Sequence, residues 1–209
     1  MIKKHSVLIC LAISTVLIVI ATIVYPGGSL FDQNAIGFDW SKNFFSNLFE
    51  ARAINGSENS SQPWALAGIA FQSLAYGIFF LKMSKKMPSK GSSKVLNLVG
   101  LVNIVFTFLI ATPLHDLMVI LSGSLFLLGL FYITVHLLKT KLHFFKFASI
   151  VSLALFYLTM FLYGYGDWGL LAIIQKVSII CSMFLVLGLD YFTKHEDFLE
   201  SSLKLEKSN

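Results

Sequence analysis

Charge is what this chain has least of. Only 13% of its 209 residues are Asp, Glu, Lys or Arg, about half the share found in ordinary soluble domains. With 56% hydrophobic residues and a mean hydropathy of +0.76, that shortage excludes an ordinary soluble fold. Cysteine is nearly missing. Cys10 and Cys181 both fall inside apolar runs, read as packing residues, and say nothing about redox compartment. No Gly-x-Ser-x-Gly elbow, His-Glu-x-x-His pair or phosphate-binding loop is present. No repeated motif links the two halves of the chain, which argues against an inverted-repeat transporter.

What the chain does have is six long apolar runs, at 6–25, 64–83, 95–111, 117–138, 147–165 and 168–192. Nearly all reach the roughly 20 residues that a helix needs to cross a hydrocarbon core about 30 Å thick. The expected fold class is therefore all-α: a six-transmembrane-helix bundle over residues 1–192, followed by a cytoplasmic tail, 193–209, which from Lys194 mixes charge signs and should be a short exposed helix or disordered. The first run is too long for a signal peptide, and Ile23-Val24-Tyr25-Pro26 is no small-residue cleavage site, so it reads as an uncleaved span.

The basic residues take sides. Of the 16 Lys and Arg, only Lys42 and Arg52 lie in odd-numbered loops, and Lys176 lies within the last run. The others sit in the N-terminus (Lys3, Lys4), loop two (Lys82, Lys85, Lys86, Lys90, Lys94), loop four (Lys139, Lys141, Lys146) and the tail (Lys194, Lys204, Lys207). Lys/Arg excess marks cytoplasmic loops, so this pattern predicts a plasma (inner) membrane protein with N-in and C-in topology. The net charge of +5 is explained by these span-end residues, and nucleic acid is not an expected partner.

Loops two to five are short. Loop one, 26–63, is long, and long loops inside compact folds carry function or disorder. In its aromatic half, Asp39 is a reasonable N-cap, and Phe45, Leu48 and Phe49 share one helical face that would roof the bundle. Its second half, 52–62, is rich in Asn, Ser and Gly and reads as a solvated linker with two weak glycosylation triplets, at Asn55 and Asn59. Pro63 suits the first turn of span two, and Asp190 and Lys194 have the spacing of a helical ion pair.

Polar groups inside apolar spans are costly and therefore point to function. Gln175 and Lys176 lie in span six. Lys176 either snorkels to the headgroups or pairs with one of Asp32, Asp39, Asp116 and Asp167. His115 and Asp116 form a turn that could supply an acid/base pair or cap span four. Asp39, Asn43, Ser46 and Asn47 could converge with Gln175 and Lys176 on a binding site. Asn103 and Thr107 read as interhelical glue. His5, His136, His143 and His195 map to the opposite side from His115, so no metal site and no cofactor are implied.

Three strings carry a family resemblance: Tyr25-Pro26-Gly27-Gly28-Ser29, the segment from Gly37 to Leu48 with Asp39-Trp40-Ser41-Lys42-Asn43-Phe44-Phe45-Ser46-Asn47, and Thr112-Pro113-Leu114-His115-Asp116. Together they resemble an uncharacterised bacterial six-span membrane family, a domain of unknown function distantly similar to the damage-regulated autophagy modulator proteins. The resemblance covers most of the chain and implies a six-helix fold with no established activity. Asn47 stands where many relatives would have Asp, so no carboxylate role is carried to it.

Three functions fit. The first is binding of a membrane lipid or a partner membrane protein at an outer-leaflet polar cavity. The second is an enzyme acting on a lipid or lipid-linked substrate, with His115 and Asp116 as acid/base. The third is a small-solute transporter.

Overall fold

The computed structural model describes residues 4–199. Six helices long and apolar enough to cross a membrane account for most of them: α1 (Ser6–Val24), α2 (Gln62–Lys86), α3 (Lys90–Leu109), α4 (His115–Leu137), α5 (His143–Tyr165) and α6 (Trp168–Phe192). Among the described residues there is no β-sheet, only two isolated bridges within loop one. The helices follow the expected spans, and α2, α3, α4 and α5 start earlier than expected, in their polar flanks. Pro63 opens α2, where its missing N–H is no loss. Ser89 caps α3 by accepting the Ser92 N–H, and Asp167 caps α6 by accepting the Leu170 N–H.

Each helix packs against the next in sequence, as the short connections from α2 to α6 require and as α1 and α2 do across the long loop one, and α6 returns to touch α2 and α1. Glycine sets the closest approach. A Cβ built on Gly100 would stand 2.9 Å from the Gly77 carbonyl oxygen, so α2 and α3 meet backbone to backbone at this pair.

The main core lies at the end of the bundle that carries the termini. There Phe79, Phe80, Met83, Leu96, Ile133, Leu137, Leu189 and Phe198 are all but fully buried. Polar latches tie α6 to α2 at the same end. Lys82 pairs with Asp190 at 2.8 Å, and Tyr76 and Ser182 share a 2.7 Å hydrogen bond. Lys86 donates to the Leu189 and Asp190 carbonyls at 2.9 and 3.0 Å, satisfying groups that the last turn of α6 leaves free.

Two expectations fail here. Asp190 does not pair with Lys194, because Lys82 on the facing helix reaches it first. The start of the tail is not merely exposed: residues 195–199 are helical and place Phe198 in the core. The remainder of the tail, with Lys204 and Lys207, lies outside the described residues, as does Lys3.

At the opposite end the two halves of the bundle part, and loop one fills the gap. Phe44 joins Leu162, Leu171 and Ala172 of α5 and α6, while Leu48 and Phe49 join Ala21, Ala65 and Ile69 of α1 and α2. The loop is therefore a wedge with one apolar foot on each half.

Candidate functional site

The roof is built from backbone hydrogen bonds and short polar side chains. Gly27 and Gly28 have φ of +139° and +85°. A Cβ on either would fall 2.2 Å from the Ala35 oxygen or 2.4 Å from the Asn55 nitrogen, so only glycine permits this turn. Asn43, fully buried, accepts the Asp39 N–H through Oδ1 and donates through Nδ2 to the Gly28 carbonyl at 2.7 Å. Asn47 Oδ1 accepts the Phe44 N–H at 2.7 Å. The helical face expected for Phe45, Leu48 and Phe49 is shortened to a single 3-10 turn, Phe45–Leu48.

The second half of loop one is solvated at Arg52, 55–58 and Ser60, as expected, but it is a folded segment and not a slack linker. The backbones of Arg52 and Glu58 form an isolated antiparallel β-bridge, and Asn59, 4% exposed, donates to the carbonyls of Asn47, Leu48 and Glu50. That burial removes Asn59 from consideration as a glycosylation acceptor. The segment folds because its Asn and Ser side chains satisfy backbone groups that no helix or sheet pairs.

Lys176 is 6% exposed and has neither of its expected fates. It donates to the carbonyl oxygens of Asn43 and Ala172, both at 2.6 Å, and its ammonium lies 5.8 and 5.7 Å from the ring centres of Phe38 and Phe45. The four carboxylates proposed as partners are engaged elsewhere. Asp32 accepts the Asn34 N–H, Asp39 accepts from Ser41, Asp116 accepts from Tyr163, and Asp167 caps α6. Carbonyl dipoles and aromatic faces hold this cation instead of an ion pair. Asp39 stays on the outer face of the roof, where the Ser41 hydroxyl and, to a smaller degree, nearby Lys42 hold its carboxyl below the ordinary range.

Beneath the roof lies a chamber of about 940 Å³ with walls from all six helices. Its floor is aromatic: Phe126 stacks on Phe156 at 4.4 Å and meets Tyr76 edge-on at 5.3 Å. Its ceiling includes Phe44, Phe45, Ser46 and Asn47. Trp40, Trp168, His115, Asp116 and Tyr163 surround the mouth. Between α1 and α6, which touch little, the half-exposed Val19 and Ile180 flank the space.

The walls are not uniformly apolar. Asn103 Oδ1, Gln175 Oε1 and Ser178 Oγ are buried, have no hydrogen-bond partner, and belong to residues that line the chamber. By helical rise they lie about 9–15 Å below the roofed ends of α3 and α6. A buried polar atom left unpaired costs about 1–3 kcal/mol, so three around one cavity ask for an explanation.

Of the residues expected to form a site, Ser46, Asn47, Gln175, His115 and Asp116 line the chamber, whereas Asp39, Asn43 and Lys176 do not. Asn43 and Lys176 build the roof. The Asn103 amide oxygen is not interhelical glue, since it bonds to nothing. Ser178 and Tyr163 escaped the sequence reading. Ser178 lies three residues from Gln175, on the same helical face, which was the available signal.

At the mouth, His115 Nδ1 lies 3.0 Å from Asp116 Oδ1, and the Tyr163 hydroxyl donates to that same oxygen at 2.7 Å. The remaining four histidines lie at the opposite end: His136 bonds Ser92, His5 bonds Tyr191, His195 bonds the Lys86 carbonyl, and His143 opens α5. Among the described residues, no three His, Cys, Asp or Glu side chains gather into a metal-binding group.

These features define a polytopic all-α membrane protein of six spans with a roofed chamber. Comparison of the chain with protein-family models, curated proteins and solved structures finds no match.

Proposed function

We propose that this protein binds a membrane lipid within the roofed chamber. The observation that carries this reading is the chamber itself, a mainly apolar space of about 940 Å³ within six membrane-length helices. That volume is at the upper end of the roughly 300–1,000 Å³ typical of small-molecule sites. The lysine bias assigns both termini to the cytoplasm and the roof to the outer face of the plasma membrane. A lipid of the outer leaflet would then reach the chamber sideways, past Val19 and Ile180, without crossing the bilayer. Native mass spectrometry of the detergent-purified protein should find one lipid retained per chain. Met160→Trp, which fills the chamber from α5, should abolish that adduct; retention in the variant at the parental level would refute the reading.

A second reading is favoured by one arrangement, the His115–Asp116–Tyr163 cluster at the mouth. Asp116 orients the imidazole next to the space where a headgroup would lie, as an acid/base residue requires. Under this reading the protein acts on the lipid it binds. Conversion of the retained lipid during incubation, lost in His115→Gln, would select it over simple binding.

A further inference from the structure

We propose that the lipid held by the chamber is a neutral one, and that its uncharged hydroxyl or amide docks between Asn103, Gln175 and Ser178. This rests on the lipid-binding reading above and specifies the chemical class of the ligand.

The first argument comes from hydroxyls that do find partners. Thr15, Ser73, Thr134, Thr159 and Ser182 each donate to a carbonyl three or four residues back on their own helix. That is the ordinary fate of a hydroxyl in a membrane helix. Ser178, 3% exposed, does not take it, and its oxygen stays unpaired, buried behind the chamber wall that its residue helps to line. Asn103, 2% exposed, leaves its amide oxygen unpaired and buried behind the chamber wall, and Gln175 does the same one turn above Ser178, so docking requires each side chain to turn its oxygen into the chamber. Two of these three atoms are amide oxygens, which need a donor, and the Ser178 hydroxyl can donate or accept. A ligand hydroxyl or amide N–H, which can do both, complements the set.

The second argument is charge. The carboxylate of the chamber wall, Asp116, and the imidazole of His115 beside it belong to the first turn of α4 at the mouth. The nearest intramembrane cation, Lys176, is committed to the roof carbonyls and does not line the chamber. A phosphate or carboxylate at the depth of Asn103 would thus have no counter-charge, and a buried unpaired charge is strongly disfavoured.

A third argument concerns depth. A lipid placed with its headgroup at the mouth would lay hydrocarbon across the three unpaired atoms and leave them unsatisfied. Lowering the polar group to their level satisfies them, with the chain extending over the aromatic floor or out past Val19 and Ile180.

The test uses the full-length protein in detergent and four probes with one chain length: radiolabelled oleyl alcohol, with unlabelled oleamide, oleate and oleyl phosphate as competitors. Oleamide should compete about as well as unlabelled oleyl alcohol, and both charged lipids at least tenfold more weakly. Ser178→Ala, a mild change, and Asn103→Leu should each weaken alcohol binding several-fold while leaving the melting temperature near the parental value. If oleate or oleyl phosphate competes as well as the alcohol, the neutral-ligand assignment fails while lipid binding stands. If both variants bind the alcohol like the parent, the docking position fails. If oleyl alcohol does not bind, and oleate and oleyl phosphate give no stabilisation on heating, the lipid-binding reading itself fails.

Discussion

The ammonium of Lys176, about a third of the way along α6, donates to the Asn43 carbonyl in loop one at 2.6 Å. This contact joins the roof to the half of the bundle that the roof's own chain does not flank. Loop one leaves α1 and enters α2, so covalent continuity anchors it on one side only. On the other side it is held by Phe44 against Leu162 and Leu171, and by Lys176.

Lys176→Met should therefore lower the thermal stability of the detergent-solubilised protein. Hydrogen bonds to charged groups contribute about 1.5–3 kcal/mol, and the variant strands the Asn43 carbonyl besides. Because the lysine has no carboxylate partner, Asp39→Asn or Asp116→Asn in the same chain should give no rescue. Rescue by either would restore the ion-pair model.

The Lys82–Asp190 pair should behave in the opposite way. Asp190 is nearly buried, with 4% of its side chain exposed, so Lys82→Met leaves a carboxylate without its cation. Removing one partner of a buried pair costs about 3–5 kcal/mol, and removing both recovers most of that. Melting curves of Lys82→Met, Asp190→Leu and the double variant form the required cycle. Additive losses would show that the two residues do not interact.

Asn59 is the clamp of the second half of the roof. Asn59→Ala strands the Asn47 and Glu50 carbonyls, while the Leu48 carbonyl keeps the Ser61 hydroxyl, at a cost of about 1–3 kcal/mol for each that water fails to reach. Added protease should leave both halves of loop one intact in the parent protein and cut near residues 51–59 in the variant. Cleavage of the parent at those residues, at the rate of the variant, would count against a folded roof.

Topology can be read with single cysteines in a chain freed of Cys10 and Cys181. Ser57→Cys, exposed on the roof, should react with an impermeant maleimide added to intact cells. Lys85→Cys, exposed at the terminus-bearing end, should react only after permeabilisation. Reversed labelling would invert the assignment of cytoplasmic and outer faces.

Much of the fold was legible because membrane burial writes itself into composition. A helix facing lipid must be apolar along its length, so the six spans stand out at nearly their final boundaries. Helix starts were legible too where a residue acts on its own neighbours, as Pro63 does. Lys176 was visible as an anomaly, but its partner was not. A lysine in hydrocarbon calls for an anion by charge alone, whereas the backbone carbonyl that holds it has no signature in sequence. The polar stretch 52–62 misled for the same reason. Asn and Ser are as common in solvated linkers as in turns, and only the position of the Leu48 and Glu50 carbonyls makes Asn59 a buried clamp.

The sequence by itself determined what each segment could tolerate around it: six lengths of chain suited to hydrocarbon, and a loop too long and too aromatic to be a plain connector. Those are local properties, set by side-chain transfer free energy and read residue by residue. The tertiary structure alone decided that α6 closes on α2 at one end and parts from α1 and α2 at the other. It also decided that loop one fills the gap, and that Asn103, Gln175 and Ser178 come to one cavity from two helices far apart in sequence. An unpaired polar atom is defined by what does not reach it, and that depends on how every neighbouring helix packs.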